Sequence, residues 1–304
     1  MSSPTVTSVL RYPGGKSRAL KTILEYIPSN FKEFREPFVG GGSVFIAAKQ
    51  KIPTLATFSI NDINPDLYYF WEYLQEDGEI FKETVISMKS QFKSGKDLFK
   101  YYKNTEHEWS NFERAIRFFI LNRITFSGLI DSGGYSQESY DKRFTTSVVD
   151  KLVPLSNLLK GIEITNNDYG HLLSKPGKDV FLFLDPPYLT SKNSKLYGIN
   201  GHLHTNFDHD KFAEDVEKCK HRWLITCDDS PEIRELFSFA DVIPWDLAYG
   251  MTNVKRKKAR RGSELLITNC DLDEKNMVDP LQLISNRELE PTLLADDLVC
   301  TLGK

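Results

Sequence analysis

The sequence predicts an α/β protein with a mostly parallel β-sheet and a helical segment inserted between the two parts of the chain that form the sheet. In residues 1–74 and 161–270, short apolar runs of strand length alternate with stretches of helical periodicity. This alternation is typical of a parallel sheet covered by helices on both faces. Residues 75–160 show helical periodicity without such strands. We therefore expect a catalytic or binding domain formed by 1–74 and 161–270, an inserted domain at 75–160, and a tail at 271–304.

The first part of the chain predicts two strands, each followed by a helix. Before them, apolar residues at helical spacing after position 16, closed by Pro28, predict a helix. A glycine loop leads into the helix after the first strand, and Pro65 lies near the first turn of the helix after the second. The two predicted strands are residues 33–39 and 55–61.

The remaining elements follow in chain order. The middle segment predicts four helices, at 78–92, 96–104, 109–124 and 148–161, and its Gly/Ser/Tyr-rich stretch at 125–144 predicts a loop or hairpin. Five further strands are expected at 162–165, 179–184, 222–227, 240–247 and 263–268, with helices at 209–219 and 230–237. The acidic tail after residue 270 is weakly patterned and predicts a tail or a peripheral helix.

The bulk composition indicates a soluble globular protein, with 40% hydrophobic and 27% charged residues. No apolar run approaches the length of a membrane span, and the N-terminus lacks the layout of a signal peptide. The four cysteines lie far apart without a Cys-x-x-Cys pair, so neither a zinc site nor a disulfide scaffold is expected. These features favour reduced thiols in a cytoplasm and no bound metal.

Net charge gives no global argument for a nucleic-acid partner, because its formal value is −3. Six of the seven residues from Lys255 to Arg261 are nevertheless basic. Such a run is either a solvated loop or a contact with a polyanion backbone, where each neutralised phosphate releases counterions.

The stretch "RYPGGKS" at 11–17 ends in the Gly-Lys-Ser of a phosphate-binding P-loop. A P-loop requires a further glycine five residues before Gly15, and that position is Leu10. The residues before it also lack the apolar run of a buried strand. We therefore expect Lys16 to serve something other than a phosphate.

Four predicted strands end in residues that carry chemistry. Ligands of open α/β sheets bind at the carboxyl ends of the strands, near the point where the strand order reverses. Convergence of these strand ends at one edge therefore predicts a ligand site, formed by Gly40–Ser43, Asp62, Asp168–Tyr169 and Asp185–Tyr188.

Each of the first three groups also has a purely structural interpretation. The glycines lack the G-x-G-x-x-G spacing of a pyrophosphate site, and they permit either close ligand approach or a tight turn. Asp62 lies twenty residues after Gly42, as a ribose-binding carboxylate would, but it is also a possible helix N-cap. Asp168 fits a surface turn, and Tyr169 fits the edge of a core.

The "DPPY" motif at 185–188 is the most specific of the four signals. Two consecutive prolines fix φ and donate no backbone hydrogen bonds, so they make a rigid platform after a buried strand. Asp185 and the Pro186 carbonyl remain as acceptors, and Tyr188 offers a flat ring. Two acceptors and a stacking surface suit a planar group that carries an NH2.

The sequence resembles the Dam-type (D12 class) DNA adenine N6-methyltransferases. The resemblance spans about residues 8–268, and its motifs occur in the family's order: "RYPGGK", "EPFVGGGSVF", "NDINPDL", "LNRITFSGL" and "DPPY". It implies a class I S-adenosylmethionine-dependent methyltransferase fold, Rossmann-like with seven strands, and a target-recognition domain at 75–160. It also implies S-adenosyl-L-methionine as cofactor, double-stranded DNA as partner and a monomeric protein in a prokaryotic cytoplasm.

The resemblance also assigns roles to individual residues. Asp185, Pro186, Pro187 and Tyr188 would hold the target base as the catalytic motif. The expected cofactor residues are Tyr12, Lys16, Phe38, Gly40, Gly42, Ser43, Asp62, Asp168, Tyr169 and Asp185. The expected DNA contacts are Arg123, Lys142, Arg143, Lys255, Arg256 and Lys257.

The implied reaction is methylation of a flipped adenine. Asp185 would accept from the N6 amine and stabilise the positive charge that grows there. The stretch 130–144 is more acidic and serine-rich than the matching hairpin of GATC-specific members, so GATC specificity is not carried over. An orphan enzyme and a member of a restriction-modification system both remain open. The alternatives are an RNA adenine or DNA cytosine-N4 methyltransferase, or a non-catalytic DNA-binding regulator on the same fold.

Overall fold

The computed structural model describes residues 5–51, 56–104, 106–189, 207–248 and 261–271. Within them, a seven-stranded sheet has the order β3-β2-β1-β4-β5-β7-β6. The strands are β1 (Glu33–Glu36), β2 (Thr57–Asn61), β3 (Glu163–Thr165), β4 (Val180–Leu184), β5 (Arg222–Asp228), β6 (Asp241–Ala248) and β7 (Arg261–Thr268). β7 runs antiparallel to both neighbours, and the other described pairings are parallel. The predicted mostly parallel seven-stranded sheet is thus confirmed.

Twelve α-helices accompany the sheet in the described part of the chain. They are α1 (Leu20–Glu25), α2 (Ser43–Lys51), α3 (Pro65–Glu76), α4 (Gly78–Gln91), α5 (Gly95–Tyr102), α6 (Asn111–Ile124), α7 (Gln137–Arg143), α8 (Thr146–Asp150), α9 (Leu152–Leu159), α10 (Gly170–Ser174), α11 (His209–Glu217) and α12 (Pro231–Leu236). Short 3-10 helices cover Lys16–Arg18 and Phe126–Gly128.

Strand β4 shows how one apolar run serves two cores, since all five of its residues are buried. Successive side chains of a strand point to opposite faces. Phe181 and Phe183 accordingly join the larger core on one face, and Leu182 and Leu184 join the smaller core on the other. A central strand of a parallel sheet is expected to be apolar on both faces for this reason.

The helical middle segment shares the larger core with the sheet. Phe70 of α3 stacks on Phe119 of α6 with ring centroids 5.9 Å apart, and it meets Phe81 of α4 edge-on. Helix α6 begins with a complete capping box, in which Ser110 and Glu113 bond to each other's backbone amides. Helix α3 therefore joins the inserted helices to the sheet-forming part of the chain.

Two local predictions about helices were wrong, and one helix was not predicted. Residues 125–144 were expected as loop or hairpin, but they contain helix α7, whose first turn is capped by the Ser136 side chain. The helix expected at 148–161 is two helices, α8 and α9, which meet at Lys151. Helix α10 was not predicted, because its five residues are too few to show a period.

Candidate active site

The strand order reverses at β1, which pairs with β2 on one side and with β4 on the other. The carboxyl ends of these strands therefore border the crevice in which open α/β sheets bind ligands. The glycine turn after β1 begins this site. Gly40 has φ +46°, and a Cβ there would lie 2.9 Å from the ring of Tyr12. Only a glycine allows the N-terminal segment to pack so closely on this turn.

The segment before Lys16 is a tight turn. The amide of Gly15 donates to the Tyr12 carbonyl at 3.0 Å, and Gly14, which follows Pro13 in the sequence, has φ +71°. This arrangement is that of a type II turn, which favours proline followed by glycine. Gly14 and Gly15 therefore form the turn that leads into Lys16. No strand precedes this turn in the described residues.

Lys16 is buried, with only 3% of its surface exposed. Its Nζ donates to the Gly14 carbonyl at 3.0 Å and lies 2.7 Å from Oδ1 of Asp185. The same ammonium lies 4.8 Å from the centroid of the Tyr188 ring. Lys16 thus connects the N-terminal turn directly to the DPPY motif, a contact that the sequence did not predict.

Neighbouring elements hold the DPPY segment in place. Thr226 of β5 donates to Oδ1 of Asp185 at 2.7 Å, so both Thr226 and Lys16 contact the same oxygen. The Leu189 amide donates to Asp228 at 3.0 Å. On the other side, the His209 ring nitrogen Nε2 lies 2.9 Å from the Pro187 carbonyl. Thr226 and Lys16 therefore hold the Asp185 carboxylate through one oxygen, Oδ1.

Asp62 joins β2 to the glycine turn. Its Oδ2 accepts from the Gly40 amide at 3.0 Å, and its Oδ1 accepts from the Asn64 amide at 3.0 Å. Burial of the carboxyl group raises the pKa of Asp62 to about 6, although the bonds from Asn64, Gly40 and Ile63 lower it. Asp62 is not the N-cap of α3, because Asn64 has that role. The next residue, Ile63, is 53% exposed and offers an apolar surface beside this carboxyl.

An aromatic wall lies beyond β1 and β3. The rings of Phe38 and Tyr169 stack with centroids 5.4 Å apart and an interplanar angle of 26°. The Tyr169 hydroxyl donates to Asp215 of α11 at 2.8 Å. Asp168 is exposed, and its Oδ1 accepts from the Gly170 amide at 2.9 Å. The structure therefore brings Phe38 and Tyr169 into direct contact.

The family model of D12 class N6 adenine-specific DNA methyltransferases matches residues 12–251. The chain belongs to this family.

Several known methyltransferases are similar in sequence to this D12 class methyltransferase over most of its length. The type II methyltransferase M.MjaIII of Methanocaldococcus jannaschii is 26% identical over 87% of this chain and 99% of its own. The DNA N-6-adenine-methyltransferase of Escherichia phage P1 is 28% identical over 76% of this chain and 31% of its own length. A DNA adenine methylase of Vibrio cholerae is 27% identical over 77% of this chain and 85% of its own.

The structure of this D12 class methyltransferase also contains two buried acids that the sequence did not single out. Glu36 ends β1 and is 2% exposed, and its Oε2 has no hydrogen-bond partner among the described residues. Burial raises the pKa of Glu36 well above its usual value, and Asp185 raises it further. Glu264 of β7 is 1% exposed. Their signal in the sequence was an acid inside a predicted strand, since Glu36 lies in 33–39 and opens the motif "EPFVGGGSVF", and Glu264 lies in 263–268.

The site is chemically suited to S-adenosylmethionine. Carboxylates at successive strand ends could accept hydrogen bonds from ribose hydroxyls and attract a cationic group. One such oxygen, Oε2 of Glu36, has no hydrogen-bond partner among the described residues. The sulfonium and ammonium of S-adenosylmethionine are cationic, so an acidic, partly desolvated site favours their binding. The described residues hold no cluster of three or more potential metal ligands.

The predicted DNA contacts divide into three groups. Arg123 is 5% exposed and donates to the carbonyls of Arg143 and Val9 at 2.8 and 2.6 Å. Burial lowers the pKa of Arg123 to about 9, with Arg11 and Arg143 adding to the effect. Its guanidinium therefore supports the fold in this structure. Lys142 and Arg143 are exposed at the end of α7, whereas Lys255, Arg256 and Lys257 lie outside the described residues.

No helix in the described part of the chain is long and apolar enough to span a membrane.

Proposed function

We propose that this protein is a site-specific DNA methyltransferase that transfers a methyl group from S-adenosylmethionine to N6 of adenine in double-stranded DNA. The observation that carries the proposal is the anchored DPPY segment at the carboxyl end of β4, next to the reversal of strand order. Family membership supports both adenine and DNA as substrate. The three free cysteines of the described residues fit a reducing cytoplasm.

The cofactor would be held by the glycine turn and its flanking side chains. When bound, S-adenosylmethionine supplies an electrophilic methyl group on a sulfonium centre. In this proposal, Gly40 and Gly42 allow the ligand to approach the backbone, Ser43 flanks them at the start of α2, and Asp62 accepts from ribose hydroxyls. Tyr12 covers the turn. Phe38, Asp168 and Tyr169 would line the pocket around the adenine ring of the cofactor.

Asp185 and the Pro186 carbonyl would receive the two hydrogens of the target amine. The lone pair of adenine N6 is delocalised into the ring, so bonds that favour a pyramidal nitrogen make it a better nucleophile. As the new carbon–nitrogen bond forms, positive charge grows on N6, and the anionic Asp185 stabilises it. The carbon–sulfur bond would break as the carbon–nitrogen bond forms, leaving a neutral thioether, and the nitrogen would then pass one proton to the Asp185 carboxylate or to water and become a neutral secondary amine. Lys16 and Thr226 hold Asp185 through Oδ1, and in this proposal Oδ2 would accept from the substrate.

DNA would approach over the exposed surface of the inserted helices. Lys142 and Arg143 would meet backbone phosphates. Nearby, Phe126 is 67% exposed, and Ser127 beside it has φ 54°. A large exposed aromatic ring on a strained turn calls for a functional explanation, and stacking against an unpaired or kinked base would supply one. The basic residues Lys255, Arg256 and Lys257 would add phosphate contacts.

The Asp185→Ala variant tests the catalytic part of this proposal. Loss of the carboxylate should reduce transfer of labelled methyl groups to duplex DNA by roughly 10²-fold or more, while calorimetry should show cofactor affinity changed only a few-fold. Asp241→Ala is a matched control, because Asp241 is exposed at the start of β6. Transfer by Asp185→Ala at the rate of Asp241→Ala would contradict the proposed role.

A further inference from the structure

Strand β7 carries an acid whose environment the proposed chemistry does not explain. Glu264 is 1% exposed, and neither of its carboxylate oxygens has a hydrogen-bond partner among the described residues. It lies opposite Asp228 of β5 and Trp245 of β6. An unpaired buried carboxyl group costs free energy, so its presence calls for a specific reason.

The Tyr188 hydroxyl is the complementary group. It too is buried and has no hydrogen-bond partner among the described residues. Burial raises the pKa of the Tyr188 phenol, and Asp185 and then Glu264 add to that shift. Contact with the Tyr188 side chain in turn lowers the pKa of Glu264, and contact with Thr226 lowers that of Tyr188, although neither contact has ordinary hydrogen-bond geometry. The backbone brings the two groups together, because Glu264 lies opposite Asp228 in the β5–β7 pairing and Asp228 accepts from the amide of Leu189, the residue after Tyr188. A buried donor and a buried acceptor therefore belong to one cluster without a well-formed hydrogen bond between them.

Contacts described above hold the ring and the backbone of Tyr188. Its ring lies 4.8 Å from the Lys16 ammonium, and its chain neighbours are anchored through Pro187 and Leu189. The backbone is thus fixed on both sides of Tyr188, while the polar end of its side chain is not. In ligand-free active sites, functional hydrogen bonds are often long and tighten when the substrate binds.

The protonation of Glu264 depends on the charged groups around it. Burial, with smaller contributions from Asp185 and Asp228, raises the pKa of Glu264 to about 7 against the lowering effects of Lys16 and Tyr188. Cys227 of β5 also interacts with Glu264, and Glu36 interacts with Asp185 and Lys16. Whether neutral or ionised, the carboxyl group offers an oxygen that can accept from a phenol.

We propose that Glu264 is a positioning residue for the target base. When DNA occupies the site, the Tyr188 hydroxyl donates to the Glu264 carboxyl group, and this bond fixes the ring on which the flipped adenine lies. The inference rests on the proposed function, because it assigns the Tyr188 ring to the target base. It adds a residue from the far, antiparallel part of the sheet to the base-binding machinery.

Three single variants and one double variant test the pair. Tyr188→Phe removes the donor, Glu264→Met removes the acceptor at similar length, and Glu264→Gln keeps an acceptor oxygen. We expect Tyr188→Phe and Glu264→Met each to slow single-turnover methylation about tenfold, with cofactor affinity unchanged. Glu264→Gln should stay within about threefold of the wild type. The double variant Glu264→Met/Tyr188→Phe should be no slower than either single variant, as expected for one shared interaction.

A second readout follows the base itself. Duplexes with 2-aminopurine at the methylated position should fluoresce strongly with the wild type and with Glu264→Gln, and less with Tyr188→Phe and Glu264→Met. Losses that multiply in the double variant would overturn the inference, as would a Glu264→Gln variant as slow as Glu264→Met. If Glu264→Met fails to fold, Glu264→Gln and Tyr188→Phe still decide it through the fluorescence. A wild-type protein that methylates no adenine would instead overturn the proposed function.

Discussion

The ion pair between Lys16 and Asp185 makes a quantitative prediction about stability. Lys16→Met keeps the length of the side chain but removes the ammonium that lies 2.7 Å from Asp185. With an effective dielectric constant of about 20, that separation corresponds to about 6 kcal/mol of attraction. Part of this attraction offsets the cost of burying both charges. Removing one partner of such a buried pair is expected to cost about 3–5 kcal/mol.

Urea denaturation at pH 8 measures this loss directly. The matched control is Lys32→Met, because Lys32 forms an exposed pair with Asp179 at 3.4 Å and its side chain is 68% exposed. The control should lose no more than about 1 kcal/mol. The double variant Lys16→Met/Asp185→Asn should recover part of the stability lost in Lys16→Met, since it leaves no uncompensated charge at this position. A Lys16→Met protein as stable as Lys32→Met would show that the buried pair contributes no more than an exposed one.

Two further predictions concern the cofactor side and the DNA side of the site. Because burial raises the pKa of Asp62 from 3.8 to about 6, the folded chain holds this proton more tightly than the unfolded chain, and wild-type stability falls as the pH rises through that interval. The stability of Asp62→Asn relative to the wild type should therefore rise by up to about 3 kcal/mol between pH 4 and pH 7.5, on top of a pH-independent loss because its amide nitrogen cannot accept from the Gly40 or Asn64 amide. The variant should also bind S-adenosylmethionine more weakly by calorimetry, and a stability difference that is the same at both pH values would contradict this. Replacing Lys142 and Arg143 together by alanine should lower the slope of log affinity against log salt by up to about 2, and an unchanged slope would remove them from the interface.

Local patterns in the sequence were sufficient to predict the sheet and the edge at which its polar strand ends converge. The fully apolar run before Asp185 predicted a buried central strand, and strand β4 occupies that place with every residue buried. The rule that ligands bind at the carboxyl ends of strands then placed Asp62 and Asp185 at one edge, where the structure has them. These features depend on residues that are close together in the chain.

The unpredicted features arise from contacts between distant parts of the chain. Lys16 meets Asp185 only because the N-terminal turn packs over the glycine loop, and nothing near either residue reveals that pairing. Glu264 lies near Tyr188 because β7 inserts antiparallel between β5 and β6. The family resemblance assigned Arg123 a DNA contact, yet its guanidinium is buried against the carbonyls of Arg143 and Val9, which no local pattern reveals.

Analysis of the methylated nucleosides decides whether this chain methylates adenine in DNA. Purified protein and S-adenosylmethionine are incubated with DNA from a host that lacks methyltransferases, and the DNA is digested to nucleosides for mass spectrometry. We expect N6-methyldeoxyadenosine in the wild-type sample and none with Asp185→Ala. N4-methyldeoxycytidine alone, or no methylated nucleoside while the cofactor still binds, would show that adenine in DNA is not the substrate.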